Sequence, residues 1–298
     1  MTPNTASILS ALTSRTILID GAMGTQTQAL DLDVESDYLN CENCTDILSL
    51  SRPDAITKIH HDYLAAGADA ITTNTFGGAA HTLSEFDLQD RCFEINKASG
   101  DLARAAADKF STDNRPRFVL GDLGPGTKLI PLGQISYDQL FASYRTSAHA
   151  LIESGIDAIL IETCQDLLQI KCAIAATRAA ARDARRNPDD IPIMVSITIE
   201  QTGTMLLGST IEAAIEALRP LPIATLGLNC ATGPVEMVNP IRTLIEKFDR
   251  PITIMPNAGL PILVQGETIY PLKPTSFVDA MRRFLETEPV NAIGGCCG

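Results

Sequence analysis

Three cysteines in the last third of the chain have the chemistry to bind a metal ion. Cys230 follows one apolar run, and the adjacent Cys296 and Cys297 follow another. Thiolates are zinc ligands, and catalytic zinc sites commonly use three protein ligands and leave a fourth position for water or substrate. A substrate thiol bound at that position would lose its proton and react as a thiolate. The sequence therefore predicts a thiol-activating zinc site, if folding brings the three cysteines together.

A plainer interpretation stays open on the residues alone. Cys230 could be a small buried hydrophobe, and Cys296 and Cys297 could be a fortuitous pair or form a disulfide with each other. Gly294 and Gly295 favour zinc, because glycine tolerates backbone dihedral angles that would turn two adjacent side chains toward one ion. Without metal, we expect the segment carrying Cys296 and Cys297 to be mobile, because only the metal would join it to Cys230.

The remaining cysteines and histidines are less suited to metal binding. Cys41 and Cys44 have C-x-x-C spacing, but no second pair follows nearby, so a loop is favoured over a structural zinc or redox site. The other cysteines are predicted to be helix or core thiols: Cys92, Cys164 and Cys172. No metal role is predicted for any histidine: His60, His61, His81 or His149.

The framework that must position these groups is predicted from short β-branched runs that alternate with amphipathic stretches. Eight runs are predicted as strands: 16–20, 69–76, 117–122, 157–162, 193–199, 225–230, 252–256 and 291–295. Five stretches between them are predicted as helices: 53–66, 140–153, 167–181, 212–218 and 277–285. Eight repeats favour an α/β fold of the closed (β/α)8 TIM-barrel type. An open doubly wound sheet is the alternative, because periodicity does not report closure.

One barrel domain is predicted over residues 1–298, since no low-complexity linker divides the chain. A helical stretch at 6–14 precedes the first strand, and the chain stops just after the eighth. We therefore predict that this helix covers part of the barrel where an eighth helix would otherwise pack. Catalytic groups of TIM barrels lie at the carboxyl ends of the strands. Those ends carry Asp20, Phe76, Asp122, Glu162, Cys230, Asn257, Cys296 and Cys297.

The bulk composition excludes several classes of protein. Hydrophobic residues make up 45% and charged residues 20%, which is ordinary for a domain with a substantial core. The formal net charge of −13 argues against nucleic-acid and anionic-membrane binding, since both need a positive surface. The sequence shows no signal peptide or membrane-spanning run, so a cytoplasmic location with reduced thiols is predicted.

Five motifs together resemble the homocysteine S-methyltransferase family. They are DGAMGTQ at 20–26, TNTFG at 73–77, GLNC at 227–230, PNAGLP at 256–261 and GGCCG at 294–298. Within the family they are most similar to the homocysteine-binding module of cobalamin-dependent methionine synthases, a (β/α)8 barrel with a three-cysteine zinc site. The resemblance implies zinc-dependent methyl transfer to homocysteine, giving methionine. It also implies that Cys230, Cys296 and Cys297 are the zinc ligands.

The resemblance further implies how the substrate is held. The carboxylates of Asp20 and Glu162 would bind the ammonium group of homocysteine, and backbone N–H groups of Ala22, Met23 and Gly24 would bind its carboxylate. The Met23 side chain is expected to pack beside the site. On the residues alone, Asp20 could instead cap a loop, and Glu162 could form a salt bridge at the barrel rim.

Phe76 and Asn257 are also placed at the substrate by the family pattern. Packing is the alternative for Phe76, and loop bracing is the alternative for Asn257. Asp122 is expected to do no more than brace its own glycine-rich loop.

The methyl donor implied by the resemblance is methylcobalamin on another domain or protein, because no cobalamin-binding or folate-binding segment is identifiable in the chain. S-methylmethionine or another small sulfonium or ammonium donor is the first alternative. Betaine is disfavoured, because Gly77 follows Phe76 where betaine enzymes carry an aromatic, and the chain has no tryptophan to cage a quaternary ammonium. A non-catalytic homocysteine-binding or zinc-binding barrel and a thiol-redox protein using Cys296 and Cys297 are alternatives from other classes.

Overall fold

The strands of the protein form a barrel and a separate hairpin. The computed structural model describes residues 7–264 and 267–298. In chain order the described strands are β1 Ile17–Leu18, β2 Ala70–Thr72, β3 Phe118–Leu123, β4 Ala158–Cys164, β5 Ile193–Ile197, β6 Thr225–Asn229, β7 Ile252–Met255, β8 Ile262–Val264, β9 Glu267–Ile269 and β10 Ala292–Ile293. β8 and β9 pair with each other as an antiparallel hairpin.

The other eight strands are parallel and close on themselves. Their order in the sheet is β1-β10-β7-β6-β5-β4-β3-β2. A parallel bridge between Ile19, just after β1, and Ala70 of β2 joins the two edges of the sheet. The prediction of a closed TIM barrel is confirmed, and the open doubly wound sheet is excluded.

Seven helices surround the barrel, each following one of the first seven barrel strands. In chain order the described helices are α1 Ile8–Ser14, α2 Met23–Gln28, α3 Leu48–Ser51, α4 Pro53–Ala66, α5 Ala80–Leu83, α6 Cys92–Phe110, α7 Tyr137–Glu153, α8 Leu167–Asp183, α9 Ile211–Leu218, α10 Val238–Lys247 and α11 Pro274–Thr287. The surrounding seven are α4 and α6 to α11. Among the described residues no helix is both long and apolar enough to cross a membrane.

All five predicted helices form, but two surrounding helices were not predicted. The buried face of α6 includes Asn96, Ser99 and Gly100 beside alanines, so few large apolar residues mark it in the sequence. α10 contains Pro240 in its first turn, where the missing N–H would have had no partner within the helix. α7 begins earlier than predicted, because Ser136 and Gln139 form a capping box.

The helix α1 closes the amino-terminal end of the barrel. Its side chains Ile8 and Leu12 are buried in the same cluster as Phe118 and Leu160 of the barrel strands. The side-chain amide of Asn291, just before β10, donates to the carbonyl of Leu12 at 2.9 Å. The prediction that this helix lies where an eighth helix would pack is therefore wrong: it covers the end of the barrel, where apolar interior side chains would otherwise meet water.

An open groove marks the position of the eighth surrounding helix. It lies between α4 and α11, over the outer face of β1 and β10, and has a volume of about 880 Å³. Leu18 of β1 points outward into this groove and is 40% exposed, whereas a helix normally covers the outward-facing residues of a barrel strand. Within the described residues, this is the part of the barrel wall that no helix covers.

Candidate active site

The three predicted metal-binding cysteines meet at the mouth of the barrel. The sulfur atoms of Cys230, Cys296 and Cys297 all lie within 4.8 Å of one another. Cys230 follows β6 and the other two follow β10, and β7 lies between these two strands in the sheet. Among the described residues this is the sole group of three or more histidine, cysteine or acidic side chains close enough to share an ion. The fold thus joins residues that are more than sixty positions apart.

A strained turn directs Cys230 toward the other two thiols. Cys230 and Ala231 have φ angles of 61° and 54°, in the left-handed region that non-glycine residues seldom adopt. The N–H of Cys230 donates to the carbonyl of Met255 at 3.2 Å, which continues the pairing of β6 with β7. The strand pairing holds Cys230 in this conformation. Backbone conformations of this kind cost free energy and are found most often at functional sites.

The segment that carries Cys296 and Cys297 is joined to β7 without any metal. The N–H of Cys296 donates to the carbonyl of Pro256 at 2.9 Å, and the carbonyl of Cys297 accepts from the N–H of Ala258 at 2.8 Å. The side chain of Asn257 accepts from the N–H of Cys297 at 3.0 Å. These hydrogen bonds join the segment to residues 256–258, which follow β7, whereas its mobility without metal stays a prediction.

Glycine is needed at position 294 for space and not for an unusual dihedral angle. Neither Gly294 nor Gly295 has a positive φ angle. A Cβ atom at Gly294 would lie 2.9 Å from the carbonyl oxygen of Asp20 and 3.1 Å from the Cβ of Ile19. The two chain segments approach so closely that a side chain would push them apart, which corrects the reason predicted from the sequence.

The three thiols hydrogen-bond one another and divide their charge unequally. Hydrogen bonds from Cys230 and Cys296 lower the pKa of Cys297 to about 3. Hydrogen bonding to Cys230 and Cys297, together with burial, raises the pKa of Cys296 well above its usual range. A single thiolate is stabilised by its two neutral, protonated neighbours, so a cation is required before all three sulfurs can ionise.

A cavity of about 210 Å³ opens beside the thiols and collects most of the predicted substrate contacts. The predicted residues that line it are Asp20, Ala22, Met23, Gly24, Phe76, Glu162, Cys230, Cys296 and Cys297. Phe76 stands at its rim with 44% of its surface exposed. Asn257 does not line the cavity and instead holds the backbone of Cys297. The helix α2 begins at Met23, so the N–H groups at its start face away from the helix and have no partner within it.

Three carboxyl groups line this cavity: Asp20 and Asp122 are buried, and Glu162 is partly exposed. Asp20 accepts hydrogen bonds from the N–H and hydroxyl of Thr72, yet burial raises its pKa to about 8. Burial also raises the pKa of Glu162 to about 7. The pKa of Asp122 lies well above its usual range, first because of burial and then because of the nearby Glu162, to which its side chain is hydrogen-bonded. A cationic ligand is the partner that would let these groups ionise together.

A bulge in β4 turns Glu162 into the cavity. The pairing of β4 with β5 changes register between Ile161 and Cys164. Thr163, inside this irregular stretch, has a φ angle of 57°. Bulges of this kind commonly redirect a side chain beside an active site, and this one was not recognised in the sequence.

The sequence did not indicate the contacts of two further residues at or near the site, Asp122 and Asp46. Asp122 was expected to brace a loop, but its side chain lines the cavity beside Glu162. Asp46 is buried next to Gly77 and accepts from the N–H of that residue at 3.0 Å. The position of Asp122 at a strand end was a usable signal, whereas Asp46 lies in a long loop with no pattern that indicates its contact.

The buried carboxyl groups should make the unfolding free energy depend on pH. The folded-state pKa of Asp20 is about 8, above its ordinary 3.8. Its contribution to stability is therefore present in acid and is lost as the pH rises through about 8. One pKa unit corresponds to about 1.4 kcal/mol. Relative to the wild-type chain, Asp20→Asn should therefore gain several degrees in melting temperature between pH 5 and pH 8.

Thermal unfolding of the metal-free protein across that pH range tests this expectation. The exposed Asp31 provides a matched control through Asp31→Asn. A constant difference in melting temperature between wild type and Asp20→Asn from pH 5 to pH 8 would show that Asp20 is ionised in the folded chain.

The arrangement is that of a barrel enzyme: a closed (β/α)8 barrel with a thiol cluster and buried carboxyl groups at the carboxyl ends of its strands. The sequence matches the family model described as homocysteine S-methyltransferase over residues 17–298. The chain belongs to the homocysteine S-methyltransferase family, as its motifs predicted.

Two curated relatives are both methionine synthases. The one from Mycobacterium tuberculosis (strain ATCC 25618 / H37Rv) is 44% identical over 291 residues, and the one from Mycobacterium leprae (strain TN) is 43% identical over the same length. Each alignment covers 98% of this chain and 24% of the relative. The chain therefore spans about a quarter of the length of the curated relatives it matches.

Solved structures of the homocysteine methyltransferase MmuM from Escherichia coli have the same fold. The oxidised form matches with a TM-score of 0.72 at 20% identity, and the metallated form with a TM-score of 0.71 at 20% identity. Both alignments cover 95% of this chain and 91% of the other. This likeness confirms the predicted fold.

Proposed function

We propose that this chain, as one barrel domain over residues 1–298, transfers a methyl group to the thiolate of homocysteine and so forms methionine. The observation that carries the proposal is the pairing of two unlike halves in one cavity. One half is the cluster of three cysteine sulfurs within 4.8 Å of one another. The other is the set of buried carboxyl groups that includes Asp20 and Glu162. An amino acid with a thiol at the end of its side chain matches both halves.

The donor set fits Zn²⁺. Three thiols clustered this tightly, only one of them stabilised as thiolate, are the ligands that a soft divalent cation favours. Cys230, Cys296 and Cys297 would hold the ion, which when bound would lower the pKa of the homocysteine thiol.

The other residues of the cavity would hold the substrate. Asp20 and Glu162 would ionise against the ammonium group, and the backbone N–H groups of Ala22, Met23 and Gly24 would bind the carboxylate. The thiolate sulfur then attacks the methyl carbon in line: the new S–C bond forms as the donor–methyl bond breaks, and that bond's electron pair leaves with the donor. Phe76 at the cavity rim would limit water. For Asn257, contact with Cys297 supports a bracing role instead of substrate contact.

The loops around the cavity, at the mouth of the barrel, are evidence that the methyl donor is a large molecule. Exposed apolar side chains lie on the segments that follow five of the barrel strands, at the end of the barrel where the cavity opens: Phe76, Leu132, Leu206, Leu207, Val235, Ile262, Leu263, Val264 and Ile269. An exposed apolar surface of this kind commonly marks an interaction site. We propose methylcobalamin, carried by another domain or protein, as the donor. S-methylmethionine or another small sulfonium or ammonium compound is the alternative.

The proposal is tested by incubating the zinc-loaded protein with homocysteine and free methylcobalamin, then with S-methylmethionine, and measuring methionine. Product from methylcobalamin supports the function and the donor together. Product from S-methylmethionine alone supports the alternative donor. No product from any donor would favour a non-catalytic homocysteine-binding or zinc-binding barrel. Zinc analysis with thiol counting tests the thiol-redox alternative, and the cytoplasmic location stays a prediction from the sequence.

Substitutions in the exposed loops at the mouth of the barrel should change the KM for a large methyl donor but not the KM for homocysteine. Leu263 and Val235 are 74% and 70% exposed. Leu263→Asp and Val235→Asp should each raise the KM for free methylcobalamin several-fold, because a donor as broad as a corrin ring contacts these loops as it enters. The KM for homocysteine should not change. Steady-state kinetics with both substrates measure this.

The control for the mouth variants is Leu9→Asp. Leu9 is 42% exposed on α1, at the opposite end of the barrel. An equal effect of Leu9→Asp, or no effect of either mouth variant, would contradict a role for the mouth in donor binding.

A further inference from the structure

The side chain of Asn229 lies between the two halves of the active site. It is the last residue of β6 and is completely buried. Its Nδ2 atom lies 3.4 Å from a carboxylate oxygen of Glu162 and 3.7 Å from the sulfur of Cys296. Glu162 lies in β4 and Cys296 follows β10, and each is 67 positions from Asn229 in the sequence. One carboxamide therefore touches a carboxylate of one half and a thiol of the other.

The orientation of this carboxamide is fixed by its remaining contacts. The oxygen Oδ1 accepts from the backbone N–H of Thr163 at 2.9 Å and from the hydroxyl of Ser196 at 2.7 Å. Because a backbone N–H can only donate, the atom that faces it must be the oxygen. Nδ2 is consequently directed toward Glu162, Cys296 and the hydroxyl of Thr163, the last at 2.7 Å.

Asn229 also holds the strained turn that presents Glu162. It bonds both the backbone N–H and the hydroxyl of Thr163, whose φ angle is 57°. A β-branched residue keeps such a conformation only when its surroundings impose it. Without these two bonds the bulge would relax, and the carboxylate of Glu162 would move relative to Cys296.

We infer that Asn229 is the positioning residue that fixes the distance between the ammonium-binding carboxylate and the thiol cluster, and that it thereby selects amino-acid thiols by the length of their side chain. The inference rests on the proposed function. Homocysteine and cysteine carry the same two reactive groups and differ by one methylene. A site can reject the shorter compound only if its two binding points cannot approach each other. The contacts of Asn229 supply that constraint.

The test measures binding of L-homocysteine and L-cysteine to the cobalt-loaded protein, whose absorption spectrum reports thiolate binding to the metal. One methylene in a well-fitted site changes affinity by about 10–200-fold. The wild-type chain should therefore prefer homocysteine by at least about tenfold. Asn229→Ala should lower this preference at least threefold, mainly by weakening homocysteine. It should also weaken zinc in a chelator competition, because Cys296 loses its N–H donor.

Two further variants separate positioning from general stability. Ser196→Ala removes one partner of Oδ1 but leaves Glu162, Thr163 and Cys296 bonded to Asn229, so its preference for homocysteine should equal that of wild type. Thr163→Val keeps the shape of the side chain but removes the acceptor of the 2.7 Å bond, so its preference should fall. Thr163→Val carries the test if Asn229→Ala does not fold.

The outcomes distinguish the inference from the function on which it rests. The inference is overturned if folded Asn229→Ala keeps the wild-type preference for homocysteine. If Asn229→Ala does not fold, the same result in Thr163→Val overturns it. A loss of preference in Ser196→Ala equal to that in Asn229→Ala also overturns it, because the effect would then be one of packing. If homocysteine leaves the spectrum of the wild-type cobalt protein unchanged, the proposed function itself fails.

Discussion

Cys296→Ser should abolish methyl transfer and lower zinc affinity by at least about a hundredfold, since even outer-shell partners of a metal contribute about 10–100-fold. Serine has nearly the shape of cysteine, but its hydroxyl does not ionise at neutral pH and is a poor zinc ligand. Cys296 is also the one of the three thiols that contacts Asn229. Zinc affinity is measured by chelator competition and activity by methionine formation.

The matched control is Cys41→Ser. Cys41 is a free, half-buried thiol like the three cysteines of the cluster, but it lies in a separate loop. Its replacement should leave zinc affinity and activity at the wild-type level. The same losses are expected for Cys230→Ser and Cys297→Ser. Full zinc affinity in any of these three variants would remove that residue from the proposed ligand set.

The second large effect is expected from Glu162→Gln. Glutamine keeps the shape of the side chain but cannot supply the negative charge that the ammonium group of homocysteine requires. A hydrogen bond to a charged group contributes about 1.5–3 kcal/mol, which corresponds to about 10–150-fold in affinity. The KM for homocysteine should therefore rise by about that factor, while zinc affinity stays close to wild type because glutamine replaces no ligand.

Two controls test the cause of this effect. Glu200→Gln neutralises another acidic side chain at the mouth, which contacts Gln165 at 3.1 Å and does not line the cavity, and it should not change the KM. 4-Mercaptobutyrate has a thiol and a carboxylate but no ammonium group. It should bind wild type and Glu162→Gln equally well. A KM for homocysteine that Glu162→Gln does not alter would exclude Glu162 from ammonium binding.

The alternation of elements was predictable because each local pattern has a local cause. Buried parallel strands require β-branched and apolar runs, and helix ends require caps, so the repeats could be counted from the sequence. The exceptions have local explanations too: α6 buries small and polar residues, and Pro240 sits where a helix tolerates it. Closure was favoured only by the count of repeats, since the bridge from Ile19 to Ala70 pairs segments about fifty residues apart.

The residue types that do chemistry, and the strand ends at which they lie, could be identified from the sequence, because both are properties of short segments. Cys230, Cys296, Cys297, Asp20 and Glu162 could be chosen in this way, and the motifs around them identified the family. Their mutual distances were not accessible, because no short segment contains two halves of the site.

How these groups act on one another follows from the folded barrel and could not be predicted from the sequence. It placed α1 under the barrel, brought the Asp122 side chain against Glu162, and inserted Asn229 between Glu162 and Cys296. It also raised the pKa of Asp20 to about 8. Each of these results depends on burial or on contact between residues distant in the chain. Desolvation and hydrogen-bond geometry arise only when the barrel closes, and for that reason a linear pattern could not report them.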